Sequence, residues 1–143
     1  MVWGGMSLLG KTQLAFLKGN QDALDYQQTL TSHLFEFTDN VHDGGYVFQC
    51  ANANIHRANA TKSFLADLNI KTVNCPALFP DLNPNENLWG IMARRVYKNT
   101  RQYFSTTELK VAIQLVWDEI SDDLLLKLTN SMFDRCLAVV RGK

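Results

Sequence analysis

The sequence carries no surplus of charge: fourteen Lys and Arg residues balance fourteen Asp and Glu. A polyanionic partner drawn in by global charge is therefore excluded as an expectation, although a local basic cluster is not. Proline is scarce, with three residues at 76, 80 and 84, and no Pro/Gly/Ser-rich linker, repeat or low-complexity tract interrupts the chain. No apolar run approaches the roughly 18 residues needed to span a membrane, so no membrane partner is expected. The chain does not open with a charged start, an apolar run and a small-residue cleavage site, so no secretory signal is expected. Cysteine is also sparse. Cys50, Cys75 and Cys136 are odd in number, widely spaced, and form no zinc-ligand spacing with His33, His42 or His56. They read as reduced core thiols of an intracellular protein.

What remains is globular. With 143 residues, 46% of them hydrophobic and 20% charged, the chain has the size of one domain and enough apolar matter for a core. It starts as though in mid-strand, with Val2 and Trp3 before Gly4 and Gly5. Strand-like stretches follow at 13–17, 45–50 and 70–75, where apolar or β-branched residues lie between turn-formers. Helical patterns alternate with them. Asp22 can cap a helix with Leu24, Leu30 and Leu34 on its apolar side and Tyr26 and Phe37 beside them. Ala60, Phe64, Leu65 and Leu68 make a second stripe, ended by Asn69. Strands alternating with helices predict an α/β or α+β sheet domain.

The last third reads as wholly helical. "STTEL" at 105–109 is a capping box in which Ser105 caps and Glu108 reaches back. Leu109, Ile113, Val116, Trp117 and Ile120 then form one apolar face. Ser121 can cap a final helix with Leu124, Leu125, Leu128, Met132 and Cys136 inside and Gly142 as its stop.

The segment "CPALFPDLNPNENLWGIMARRVYKN", residues 75–99, is the most informative. Pro76 and Pro80 cannot continue the preceding strand. Asn83 is a good N-cap, Pro84 suits the first helical position, and Glu86 falls at the third. Two readings of Glu86 stand on local grounds. It either closes a capping box, or it presents a carboxylate to a divalent cation such as Mg²⁺, which prefers oxygen ligands. Trp89 shares a helical face with Met92 and Val96 and reads as core. Arg94, Arg95, Lys98 and Arg101 form a basic cluster that is either a solvated helix face or a contact to a DNA backbone.

"FPDLNPNENLWG" resembles the "SPDLNPIENLWG" signature of mariner-superfamily transposases, nearest to the Tc-type elements. "VFQCANANIH" at 47–56 is similar to that family's "FQQDNAxxH" segment, "MVWGG" to its "VMVWG" strand, and "LTNSMFDRCLAVVRGK" to its C-terminal "SMxxR" helix. The resemblance covers nearly the whole chain, in the family's order and spacing. It implies one domain over 1–143, part of a DDE catalytic domain. The implied fold is ribonuclease-H-like, a mixed sheet flanked by helices, truncated at its N-terminus and helical in its last third.

The resemblance also assigns the site. Aligned with "FQQD", the family's second metal-binding carboxylate falls on Ala51, and Glu86 matches the third, with thirty-four residues between them as in the family. This favours the metal reading of Glu86. The first carboxylate is expected on a strand upstream of "VMVWG", before the point at which this sequence starts. Asn52, His56, Asp81 and Asn83 are expected beside the site, with His56 either near metal or DNA or in a capping or packing role. The family holds Mg²⁺ or Mn²⁺ and cleaves and joins transposon-end DNA in the nucleus. The chemistry uses two ions roughly 4 Å apart, one activating the nucleophile and one stabilising the departing oxygen. A methyl group at 51 offers neither charge nor lone pair, so the chain is expected to be catalytically inactive. A chain without the central first strand is also expected to self-associate. Cys50, Phe79 and Asn85 stand where the family has Gln, Ser and Ile, in keeping with relaxed selection around the site.

Overall fold

The computed structural model describes residues 1–43, 45–50, 53–73 and 80–142. They fall into two compact units, residues 1–5 with 11–79 and residues 6–10 with 80–143.

The first unit opens with β1 (Val2–Trp3), and a tight connection through β2 (Met6–Ser7) and β3 (Gly10–Lys11) leads to β4 (Ala15–Phe16). β1 and β4 pair antiparallel, Val2 opposite Phe16 and Trp3 opposite Ala15. Asp22 then starts the helical run as expected. Its carboxylate accepts from the Leu24 and Asp25 amides, while the Asp25 carboxylate accepts from the Asp22 amide, a closed capping box.

That run consists of α1 (Ala23–Thr29), a π-helical stretch (Leu30–Phe35) and α2 (Glu36–Val41). The π stretch was not legible in the sequence and it changes which residues face inward. Tyr26, Leu30, Leu34 and Thr38 are all buried, a strict spacing of four. A pure α-helix would rotate that row off the core within two turns, whereas i→i+5 turns hold more residues each and keep it aligned. Leu24 falls off this row and is 65% exposed, contrary to the sequence expectation.

β5 (Val47–Phe48) leads through α3 (Asn54–Arg57) and α4 (Asn59–Asp67) to β6 (Lys71–Thr72). β5 and β6 pair parallel, Val47 with Lys71 and Phe48 with Thr72, which is why a helical crossover connects them. Among the described residues the ladder partner of β5 is thus β6. The core of this unit is Tyr26, Leu30, Leu34 and Leu65, with Trp3, Phe35, Phe48, Ile55, Phe64 and Ile70 packed against it.

On α4 the buried pair is Thr61 and Leu65, while Ala60 and Leu68 are exposed. The Thr61 hydroxyl donates to the Ile55 carbonyl at 2.8 Å, which satisfies it and lets its methyl pack inward. The helix ends at Asn69, in the left-handed region at φ 55°.

The second unit is helical apart from Met6–Gly10, and β2 packs against its last helix. A 3₁₀ turn (Pro80–Leu82) precedes α5 (Pro84–Val96), a second 3₁₀ turn (Lys98–Thr100), α6 (Thr106–Asp118) and α7 (Asp122–Val140). Ser105 and Ser121 cap α6 and α7 through the Glu108 and Leu124 amides. Glu108 reaches back to the Phe104 amide, one residue before the cap. Gly142 ends the chain's last turn at φ 67°, the stop the sequence indicated.

Leu88, Met92 and Val96 of α5, Ala112 and Trp117 of α6, Ile120, and Leu125 and Leu128 of α7 form the buried set of this unit. Trp89 is half-buried and stacks on Trp117 at 5.8 Å. The expectation of core thiols fails in part: Cys136 is exposed on α7 and Cys50 is half-buried, while Cys75 lies outside the described residues.

Candidate functional site

Two stretches carry the residues singled out above. In the first unit, β5 runs into Gln49 and Cys50, both half-buried. Ala51 and Asn52 lie outside the described residues. The chain resumes at Ala53, whose carbonyl accepts from the His56 and Arg57 amides and so starts α3. His56 stacks on Tyr26 with ring centroids 4.1 Å apart and planes 30° from parallel. This stack is a packing contact.

Tyr26 anchors this corner. Burial pushes its phenol well above the ordinary tyrosine range, and the Cys50 side chain adds to the shift, while a hydrogen bond with the Trp3 side chain acts against it. The folded chain therefore keeps this proton where the unfolded chain loses it, above about pH 10. Stability tied to Tyr26 is complete below that pH and falls as pH rises toward the folded value. The expected result is an unfolding free energy that drops by up to about 1.4 kcal/mol per pH unit above pH 10. Tyr26→Phe should remove that share of the alkaline slope in urea titrations. Equal slopes for the two proteins would contradict the assignment.

In the second unit the Asn83 side chain accepts from the Asn85 amide at 3.1 Å, and the Asn83 carbonyl accepts from the Glu86 amide at 3.1 Å. Pro84 occupies the first helical position, where no amide is needed. The Glu86 carboxylate is solvent-exposed and makes no hydrogen bond among the described residues. The capping-box reading of Glu86 therefore does not describe this helix. Its carboxylate is presented to solvent from the first turn, where the helix dipole favours a negative charge by about 0.3–1 kcal/mol.

Arg135 of α7 is the residue that sequence reasoning left without a role. Its Nε donates to Ser131 Oγ at 2.9 Å, and its Nη1 donates to the Asp81 carbonyl at 2.9 Å and to Asn87 Oδ1. The Asp81 side chain is exposed, so this residue enters the arrangement through its backbone.

The basic cluster is exposed throughout at Arg94, Arg95, Lys98 and Arg101. Arg101 lies 3.8 Å from Glu108 and 5.0 Å above the Tyr103 ring, while the Tyr103 hydroxyl donates to the Val96 carbonyl at 2.6 Å. Exposed ion pairs of this kind contribute little, so Arg101 stays available to another anion. Phe104, just before α6, is 94% exposed.

Among the described residues no group of three His, Cys, Asp or Glu side chains converges. Glu86 is one oxygen donor, and alanine at 51 supplies none.

Comparison with known proteins settles the descent. Residues 2–110 match the family model described as DDE superfamily endonuclease. The Tc3 transposase of Caenorhabditis elegans is 36% identical over 141 residues, covering 99% of this chain and 43% of that protein. The chain thus spans less than half the length of that relative. Among solved structures, the Mos1 transposase catalytic domain with raltegravir and Mg superposes with a TM-score of 0.87 at 20% identity, over 99% of this chain and 73% of that one. The Mos1 transposase in a paired-end complex with the left transposon end superposes at 0.85 and 21% identity, over 99% of this chain and 42% of that one. The fold is therefore ribonuclease-H-like, a mixed α/β domain with small sheets. The chain belongs to the DDE superfamily of endonucleases, among the mariner and Tc transposases.

Proposed function

We propose that this chain is part of the catalytic domain of a mariner/Tc transposase that keeps the scaffold and has lost metal-dependent DNA cleavage and strand transfer. The observation that carries this reading is Ala51, aligned with the family's second metal-binding acid in "VFQCANANIH". A two-ion centre needs carboxylates from separate elements to hold both cations in register. With a methyl group there, Glu86 would hold a hydrated Mg²⁺ or Mn²⁺ only loosely and no second ion would be fixed. The missing step is activation of the attacking oxygen.

A second reading coexists with the loss of chemistry: a DNA-binding module acting in the nucleus. It is favoured by the exposed cations Arg94, Arg95, Lys98 and Arg101. Self-association belongs to the same proposal. Val47 is exposed beside strand pairs only two residues long, and such edges offer backbone groups to another copy.

One experiment addresses both readings. A labelled duplex carrying the transposon end is incubated with the purified chain and Mg²⁺ or Mn²⁺, with and without chelator. No nicking is expected, and chelator-sensitive cleavage would overturn the proposed inactivity. Binding to the same duplex should weaken with salt, with a log–log slope of up to about −3.6 if all four cations meet phosphates. Charge-neutral replacement of the four should flatten it. A slope near zero in the wild type would remove the DNA-binding reading.

A further inference from the structure

We propose that Arg135 is a positioning residue for Glu86, fixing the turn at Asp81–Asn87 from helix α7 so that the Glu86 carboxylate faces outward. The inference rests on the reading of Glu86 as a metal-binding carboxylate, but its geometry stands on its own.

The arrangement is a relay of hydrogen bonds with a defined direction. The Ser131 hydroxyl donates to the Leu128 carbonyl at 2.7 Å, one turn back on α7. Its oxygen lone pairs are thereby turned toward Arg135, whose Nε donates to it across one helical turn. This fixes the guanidinium plane. The plane then aims both hydrogens of Nη1 at the turn that starts α5, one at the Asp81 carbonyl and one at Asn87 Oδ1. A guanidinium suits this task because its donors are held in a rigid fork, which an ammonium group lacks.

The two acceptors bracket Glu86. Asp81 lies in the 3₁₀ turn before the cap, and Asn87 is the residue immediately after Glu86. Successive helical residues are about 100° apart around the axis, so holding Asn87 toward α7 turns Glu86 away from it. Leu88, the next residue, is fully buried and fixes the same rotation from the other side. Among the described residues Arg135 pairs with no carboxylate, so its contacts serve the shape of the turn rather than charge neutralisation. This also gives "SMFDR" a physical content. Ser131 and Arg135, four apart on one helix, are the two parts of the relay.

The test is amide hydrogen exchange by NMR on the purified chain, comparing wild type with Arg135→Ala, Arg135→Lys and Ser131→Ala. Arg135→Ala should speed exchange at the Asn85 and Glu86 amides by about tenfold or more, since hydrogen bonds to charged groups are among the stronger ones. Amides inside α6 should be unchanged. Arg135→Lys, which can still reach one acceptor, should recover part of the protection, and Ser131→Ala should fall between. Unchanged exchange at 85–86, or a uniform rise across the second unit, would overturn the proposal. If Arg135→Ala does not fold, the Lys and Ser131 variants decide alone. Mn²⁺ broadening of the Glu86 amide separates the two ideas. Its absence in the wild type counts against Glu86 as a metal ligand, while the exchange pattern still decides Arg135.

Discussion

Trp117→Ala should destabilise the second unit by about 3–5 kcal/mol, the range for removing a large aromatic side chain from a packed interior. Trp117 is 1% exposed, and its ring stacks on Trp89 at an interplanar angle of 18°. It is the largest fully buried side chain among the described residues and joins α6 to α5, the helix that carries Glu86. The buried Leu88 and Met92 lie on α5 and Leu125 on α7, and these helices, like α6 with Trp117, have capped starts, so collapse into the vacated space is restricted. Domains of this size hold only about 5–15 kcal/mol in total. The loss should therefore appear as an early unfolding transition of residues 80–143, followed by far-UV circular dichroism in urea. Trp89→Ala, at a half-buried position, should cost clearly less. Equal effects for the two tryptophans, or a Trp117→Ala loss below about 1 kcal/mol, would show that α5 and α6 do not depend on this stack.

The features legible in the sequence are those decided within a few residues. Asp22, Asn83, Ser105 and Ser121 all cap the helices assigned to them, because an oxygen two or three bonds from the backbone meets the orphan amides wherever the helix goes. Asn69 and Gly142 stop helices for an equally local reason, a left-handed backbone. Features set by tertiary contact were read less well. Thr61 replaced Ala60 on the buried face of α4, because a hydroxyl that finds a carbonyl costs little to bury. Leu24 lies two residues before buried Tyr26, about 200° around α1, and so faces outward, while the π stretch keeps Leu30, Leu34 and Thr38 in the buried row, and no pattern of apolar residues distinguishes i→i+4 from i→i+5 turns in advance.

At the candidate site the division is the same. The cap and the proline that set Glu86 in the first turn are short-range and were expected. The Arg135 tether joins residues 48 and 54 positions apart, so only the folded chain brings it together. The capping box assigned to Glu86 on local grounds is missing for a related reason. Asn83 caps through the Asn85 amide, and the Glu86 carboxylate is left pointing to solvent.

Restoring chemistry should require more than one residue. In the scheme proposed above, Ala51→Asp returns one carboxylate, which with Glu86 makes two oxygen donors on separate elements. Two donors can hold one ion, but the second ion needs a further carboxylate. Ala51→Asp alone should therefore remain silent in the nicking assay. A chain that carries Ala51→Asp and is extended upstream by a relative's acidic strand should cleave the transposon end in a chelator-sensitive way. In that extended protein, Glu86→Ala should lower the rate by about 10³-fold or more, since a catalytic metal contributes several kcal/mol to the transition state. Asp81→Ala should do much less, because Asp81 offers its backbone carbonyl rather than its side chain to the turn. Arg135→Ala should fall between the two, lowering metal affinity by about 10–100-fold in the manner of groups that orient a ligand without touching the metal. Cleavage by Ala51→Asp without the extension would show that another group already stands where the first carboxylate is needed. Indifference of the extended protein to Glu86→Ala would remove Glu86 from the site altogether.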